Sequence, residues 1–374
     1  MKKILTITGL IFSILILVII LFYNLPKVLG ILTKDISQVN KADLELKIEA
    51  VLDSENGFYN LEKISPLLYK PMQIGETTNV IGELYSGKNW DEKLAEEIVF
   101  GNRQALLEFS NAAQKKSFQN PAYNNIYNFT PDTPLPKIND WRTISQISII
   151  NSKLLMNQGK NVEAMEEALK SVKIGQRITN SNVTLIEYLV GTSMKNFGLD
   201  SIERIIMDSG FDENMLSKYS LELSEMYDTK SGLRSAFIIE HKMREYYIDL
   251  IVLDIEKSSQ DLLDSEFLPI YINKFPHISK INIKNPYYYR PNKTKHLDAN
   301  YTREQIKNLN LDCDDIRGIS ESEEHIPVNF IKFYLTENII GKIIQDSIYS
   351  PMNSVYQKRC EVDAKLKKVI DLLE

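Results

Sequence analysis

The chain has 374 residues, 43% of them hydrophobic and 25% charged, with a formal net charge of −6, which excludes disordered, collagen-like and disulfide-scaffold classes. Fifteen Gly and thirteen Pro leave too few positive-φ turn residues for an all-β architecture or a Gly-rich cofactor fold. Long helices remain, with ample apolar material for a core.

Met1-Lys2-Lys3 precedes Ile4 to Phe22, an apolar run interrupted only by Thr6, Thr8, Gly9 and Ser13. At about 1.5 Å rise per residue such a helix spans roughly 28 Å, close to a hydrocarbon core. The expectation is one uncleaved transmembrane helix over 4–23, with residues 1–3 cytoplasmic and the remainder outside the cytoplasmic membrane. Lys2 and Lys3 give this orientation a modest positive-inside bias. Four of the 44 basic residues precede Asp35, so 40 face 50 acidic ones beyond it, a formal charge of −10 that makes nucleic acid an unfavourable partner.

Residues 35–120 read as an N-terminal helical region. The apolar set Ile36, Val39, Leu44, Leu46, Ile48, Val51 and Leu52 predicts a helix over 35–52, and Asn89 is placed to cap a second over 90–115. Pro121, Pro131, Pro134 and Pro136 among Tyr123, Tyr127 and Phe129 make 121–140 a connector. Residues 141–257 form the clearest block. Trp141, Ile144, Ile147, Asn151, Leu154 and Leu155 share one helix face, Gly159 ends that helix, and Val162, Met165, Ala168, Leu169 and Val172 define the next. A third helix begins near Asn182, with Gly191 and Gly198 one heptad apart where a neighbouring backbone comes close. Gly210 ends it, and Asp212 and Ser231 cap two more.

Residues 258–293 are a second Pro- and aromatic-rich connector, and 294–374 a C-terminal helical region with an acidic loop over 312–324. Its last helix repeats Val355, Arg359, Val362, Leu366, Val369 and Leu373 in steps of four and three, a seam for docking on its own domain. Arg290-Pro291-Asn292-Lys293-Thr294 reads as a rigid junction in which Asn292 or Thr294 caps the following helix. Cys313 and Cys360 are far apart, and two such cysteines are more often free thiols than a pair.

No motif specifies a reaction. Gly82 to Lys88 has the spacing of a phosphate loop, whose amides surround phosphate oxygens, but Asn89 lacks the hydroxyl that would hold magnesium. His241, His277, His296 and His325 are dispersed. His241 and Glu245 share a helix face at a spacing that suits two metal ligands, yet Arg244 beside them makes a solvated charged face the simpler expectation. No catalytic residue, cofactor ligand or metal ligand is nominated, and no cofactor is expected.

The stretch Leu154 to Val172, with Gly159 at its turn and Ala164 opening the second helix, resembles one tetratricopeptide hairpin; Ser171 and Gln176 depart from that pattern, and no second copy follows at a 34-residue period. The N-terminal anchor, Gly57 to Tyr59, the hairpin at Gly159, Val190-Gly191 and Arg290 to Thr294 together resemble a loosely defined group of uncharacterised bacterial single-pass membrane-anchored helical proteins, which implies no activity. The fold expected is all-α, an irregular stack of helical hairpins, tetratricopeptide-like in part, behind one transmembrane helix. The function expected is a non-enzymatic scaffold or protein-interaction module of the cell envelope, bound to the membrane through Ile4 to Phe22 and to a protein partner. The alternatives are an envelope hydrolase with a carboxylate-lined groove and nucleotide binding through Gly82 to Lys88.

Overall fold

Helices make up nearly all the regular structure of the chain in a computed structural model, which describes residues 14, 16–18, 20, 21, 24–32, 34–46, 48–70, 80–124, 133–208, 210–257, 285–317, 335–348 and 353–374. Among these residues an isolated parallel bridge, Asn56 to Ser117, is the sole strand-like pairing. The chain divides into two units. One comprises Met1–Leu44, Met243–Glu304 and Ser320–Pro351, and the other Glu45–Lys242, Gln305–Ile319 and Met352–Glu374.

The larger unit begins with α1 (Phe58–Glu62), α2 (Val80–Ser86), α3 (Glu92–Gly101) and α4 (Arg103–Gln114). Its centre is α5 (Ile138–Asn157), α6 (Asn161–Thr179) and α7 (Leu185–Asp208), followed by α8 (Glu213–Ser224). Helix α9 (Ser231–Lys257) contributes to both units, as does α10 (Pro291–Asn308), and the larger unit closes with α11 (Cys313–Arg317) and α13 (Asn353–Asp371).

The α5–α6 hairpin turns where the sequence places it. Gly159 has φ +74°, its N–H donates to Met156 O at 2.9 Å and that of Lys160 to Leu155 O at 2.9 Å, a Schellman closure that satisfies two terminal carbonyls. Helices α6 and α7 then approach backbone to backbone. A Cβ on Gly175 would lie 2.5 Å from Gly191 O and 2.6 Å from Lys195 N, and one on Gly198 would lie 2.8 Å from Ala168 O. Around this contact Met165, Leu169 and Val172 pack with Leu199 and Ile202, and α13 adds Leu366 and Val369. All six seam residues, five on α13 from Val355 to Val369 and Leu373 just past its end, are buried, so the seam is used within the unit.

Three local expectations are corrected. Residues 34–41 carry no regular structure and only the 3-10 turns Ala42–Leu44 and Asp53–Glu55 follow, so no helix covers 35–52; its apolar residues recur in steps of one, two, three and five, which leave no continuous helical face. The helix expected over 90–115 breaks at Asn102. That side chain is drawn away by Tyr69, accepting from its N–H at 2.8 Å and donating to its carbonyl at 2.9 Å, while Asp91, not Asn89, caps α3 by accepting from Leu94 N at 3.1 Å. Cys313 and Cys360, expected as free thiols, form a disulfide joining α11 to α13.

In the smaller unit α10 starts at Pro291, and its cap is remote. Asp35 accepts from Asn292 N at 2.8 Å and Lys293 N at 3.1 Å, doing what Asn292 or Thr294 was expected to do, while Thr294 Oγ1 bonds Arg290 O instead. Arg244 donates to Asp298 at 2.6 Å and Thr302 at 2.9 Å, and Glu245 pairs with Lys41. Arg244 and Glu245, expected on a solvated face, are thus buried; His241, in the part of α9 that belongs to the larger unit, is buried as well. Helix α12 (Ile339–Ile348) completes the unit.

The expected span over 4–23 lies mostly outside the described residues, as do His277, His325 and most of the connector over 258–293. Among the described residues no helix is long and apolar enough to cross a membrane.

Candidate functional site

The densest polar arrangement of the larger unit is a buried charge cluster between α7, the segment after α8, and α13. Lys195 sits in the middle of α7, one turn from Gly191 and from Gly198, and is 2% exposed. Its Nζ donates to Met226 O at 2.5 Å and lies 3.9 Å from Asp363 Oδ1. Arg359, one turn earlier on α13 and equally buried, brings Nε to 4.0 Å from Asp363 Oδ2. Asp228 accepts the hydroxyl of Tyr188, and its own N–H is donated to the Asp363 carboxylate.

Two cations and two carboxylates share this volume, so the cluster is neutral as a set while each member is costly to bury alone. Burial pushes the Asp363 carboxyl up, against the opposing pull of Lys195, and pushes the Lys195 amine down, against Asp363 and Asp228. Burial, reinforced by Asp228, also holds the Tyr188 hydroxyl well above its ordinary range. A lysine of lowered pKa is the kind of amine that attacks carbonyl substrates. Here its Nζ is committed to a backbone carbonyl and sealed from solvent, so a substrate has no approach to it. The arrangement ties α13 to α7.

A second cluster lies at the start of α7. Thr184-Leu185-Ile186-Glu187 is a capping box in which Glu187 Oε2 accepts from Thr184 N at 2.8 Å and Thr184 Oγ1 at 2.7 Å. Tyr123 OH adds a third bond at 2.6 Å. Glu187 is fully buried, its Oε1 has no hydrogen-bond partner, and burial raises its carboxyl above 4.5 despite these donors. Between α5 and α6 a hydroxyl ladder runs through Ser145, which donates to Ser171 at 3.0 Å, Ser148, which donates to Glu167 Oε1 at 2.8 Å, and Ser152, which donates to Ala164 O at 2.7 Å. The spacing of three and four between these serines is the sequence signal for that ladder.

A groove of about 520 Å³ lies between α8 and the end of α13. Glu213 and Glu374 line it with Ser217, Ser220 and Ser224 over Leu216, Leu221 and Leu373. Its two carboxylates face serine hydroxyls, with no imidazole or amine in the lining to activate one of them.

Gly82 to Ser86 belong to α2, so their amides are directed along a helix and form no phosphate cradle. Among the described residues no group of three or more His, Cys, Asp or Glu is arranged to hold a metal ion. The buried cluster was not foreseen, because a lysine and an aspartate brought together from helices far apart in the chain leave no spacing to read. The chain matches no family model, no curated protein and no solved structure.

Proposed function

We propose that the protein is a helical scaffold of the bacterial cell envelope, tethered to the cytoplasmic membrane by Ile4 to Phe22 and exposing its helical units on the outer side. The observation that carries this reading is the bond between Cys313 and Cys360, since such bonds persist in oxidising compartments and are rare in the cytosol. It complements the apolar N-terminal run, which is long enough to span a bilayer and carries lysines on its short flank.

The scaffold role follows from where the charged and polar side chains are spent. Lys195 with Asp363 and the α5–α6 serines serve contacts between helices, while Glu187 caps α7 and Arg359 pairs with Asp363 within α13. On this reading the α5–α6 pair, closed by Gly159, works as a tetratricopeptide-like hairpin whose outer surface, together with the groove beside α8, receives a protein partner. Alkaline carbonate extraction of membranes tests the tether: the full chain stays in the pellet. Its recovery in the supernatant, with its leader removed, would overturn the proposal.

A further inference from the structure

On the face of the larger unit formed by α2, α5 and α7, three cations, Arg142, Lys153 and Arg204, form a strip beside the ion pair of Asp200 with Lys365. The guanidinium of Arg142 lies 5.8 Å from the centre of the Phe197 ring, which packs against Tyr85 at 4.7 Å. Three turns along α5 on the same side, roughly 16 Å away by helix rise, the Lys153 ammonium sits 3.9 Å from the centre of the Trp90 ring. Arg204 follows on α7 one turn after Asp200, whose carboxylate meets Tyr85 OH, and three residues after Ser201, which meets Ser152 of α5 at 3.1 Å; its charge acts on the Tyr85 hydroxyl and on Lys153. Burial lowers the Lys153 amine and Arg204 lowers it further. Among the described residues no carboxylate pairs with Arg142, Lys153 or Arg204. Asp200, 3.4 Å from Tyr85 OH, is already engaged by Lys365 and by Asn196 Nδ2 at 3.1 Å. These three cations therefore stand without a carboxylate partner among the described residues, in a chain whose net charge is −6.

A row of like charges along one strip, without counter-charges, is an arrangement that an incoming polyanion relieves. Two of the three unpaired groups are guanidinium forks, which match the oxygens of phosphate in pairs, whereas the length of the strip exceeds what one phosphate touches. We propose that this strip binds a ligand carrying two or more phosphate groups, one held by Arg142 and Arg204 beside the Tyr85 hydroxyl and the next by Arg204 and Lys153. The ligand is a soluble oligophosphate or the phosphate headgroup of an envelope lipid. The inference stands without the membrane tether.

The test is calorimetric titration of the full chain in neutral detergent with sodium tripolyphosphate, and separately with soluble short-chain cardiolipin, a lipid whose headgroup carries two phosphates. Tripolyphosphate binds wild type, more weakly as salt rises, and Arg142→Gln/Arg204→Gln lowers the affinity at least tenfold with an unchanged far-ultraviolet dichroism spectrum. Should that double variant lose helicity, Lys153→Gln alone, whose ammonium lies over the Trp90 ring and beside Gly87, carries the same expectation of a severalfold loss. Tighter binding of the lipid assigns the headgroup, and tighter binding of tripolyphosphate the soluble anion. Failure of both titrants to bind, wild-type affinity in the variants, or equal affinity for polyglutamate would overturn the proposal.

Discussion

Removing Asp363 should unbalance the charge cluster that joins α13 to α7. At 3.9 Å from Lys195 Nζ, its carboxylate contributes about 4 kcal/mol of Coulomb attraction at an effective dielectric near 20. Its side chain is 25% exposed, so solvent screening reduces the share that stability registers. The larger effect is on what remains, because Asp363→Ala leaves Lys195 and Arg359, both buried, with Asp228 as their remaining carboxylate. Breaking a buried pair from one side typically costs about 3–5 kcal/mol, whereas replacing both partners by apolar residues of similar volume is near neutral. Chemical denaturation of Asp363→Ala, Lys195→Met and Lys195→Met/Asp363→Leu forms the cycle. Each single variant should lose about 3 kcal/mol or more, and the double variant clearly less than their sum. Additive losses would show that the two groups do not interact and that the cluster is a set of independent buried charges.

Other consequences are equally specific. Gly175→Ala should destabilise by about 1–3 kcal/mol despite the better helix propensity of alanine, because its Cβ meets two backbone atoms of α7; a neutral or stabilised variant in thermal unfolding would contradict that approach. Reducing the Cys313–Cys360 bond releases a 47-residue loop constraint worth about 4 kcal/mol, read as a lower denaturation midpoint with reductant and matched by Cys360→Ser. Burial raises the Glu187 carboxyl above 4.5, so the fold favours its protonated form. The stabilisation it brings is present below about pH 4.5 and is lost as pH rises through the folded value. Melting temperatures of Glu187→Gln should therefore vary less than those of wild type above about pH 4, and an unchanged pH slope would remove Glu187 as the source.

What the sequence exposes and what it hides divide along a physical line. Gly159, the Thr184 to Glu187 box, the cap at Asp212 and the α13 seam were all readable, or are readable in retrospect, because each is a rule about neighbours within one or two turns. Gly191 and Gly198 could be singled out as close approaches, but Gly175, which completes the contact from α6, could not be matched to them without the fold. Asp35 as the cap of α10, Lys41 as the partner of Glu245 and Cys360 as the partner of Cys313 are pairings between distant segments. Local periodicity carries no term for such pairs, which is also why the solvated face assigned to His241 and Glu245 proved buried.

The central claim, that the helical units lie in an oxidising compartment outside the cytoplasmic membrane, is tested by labelling Cys313 and Cys360 with a membrane-impermeant maleimide in intact cells. The account predicts no labelling of untreated cells and labelling of both cysteines after an impermeant reductant is added. Thiols that react only once the membrane is permeabilised, and without any reductant, would contradict it.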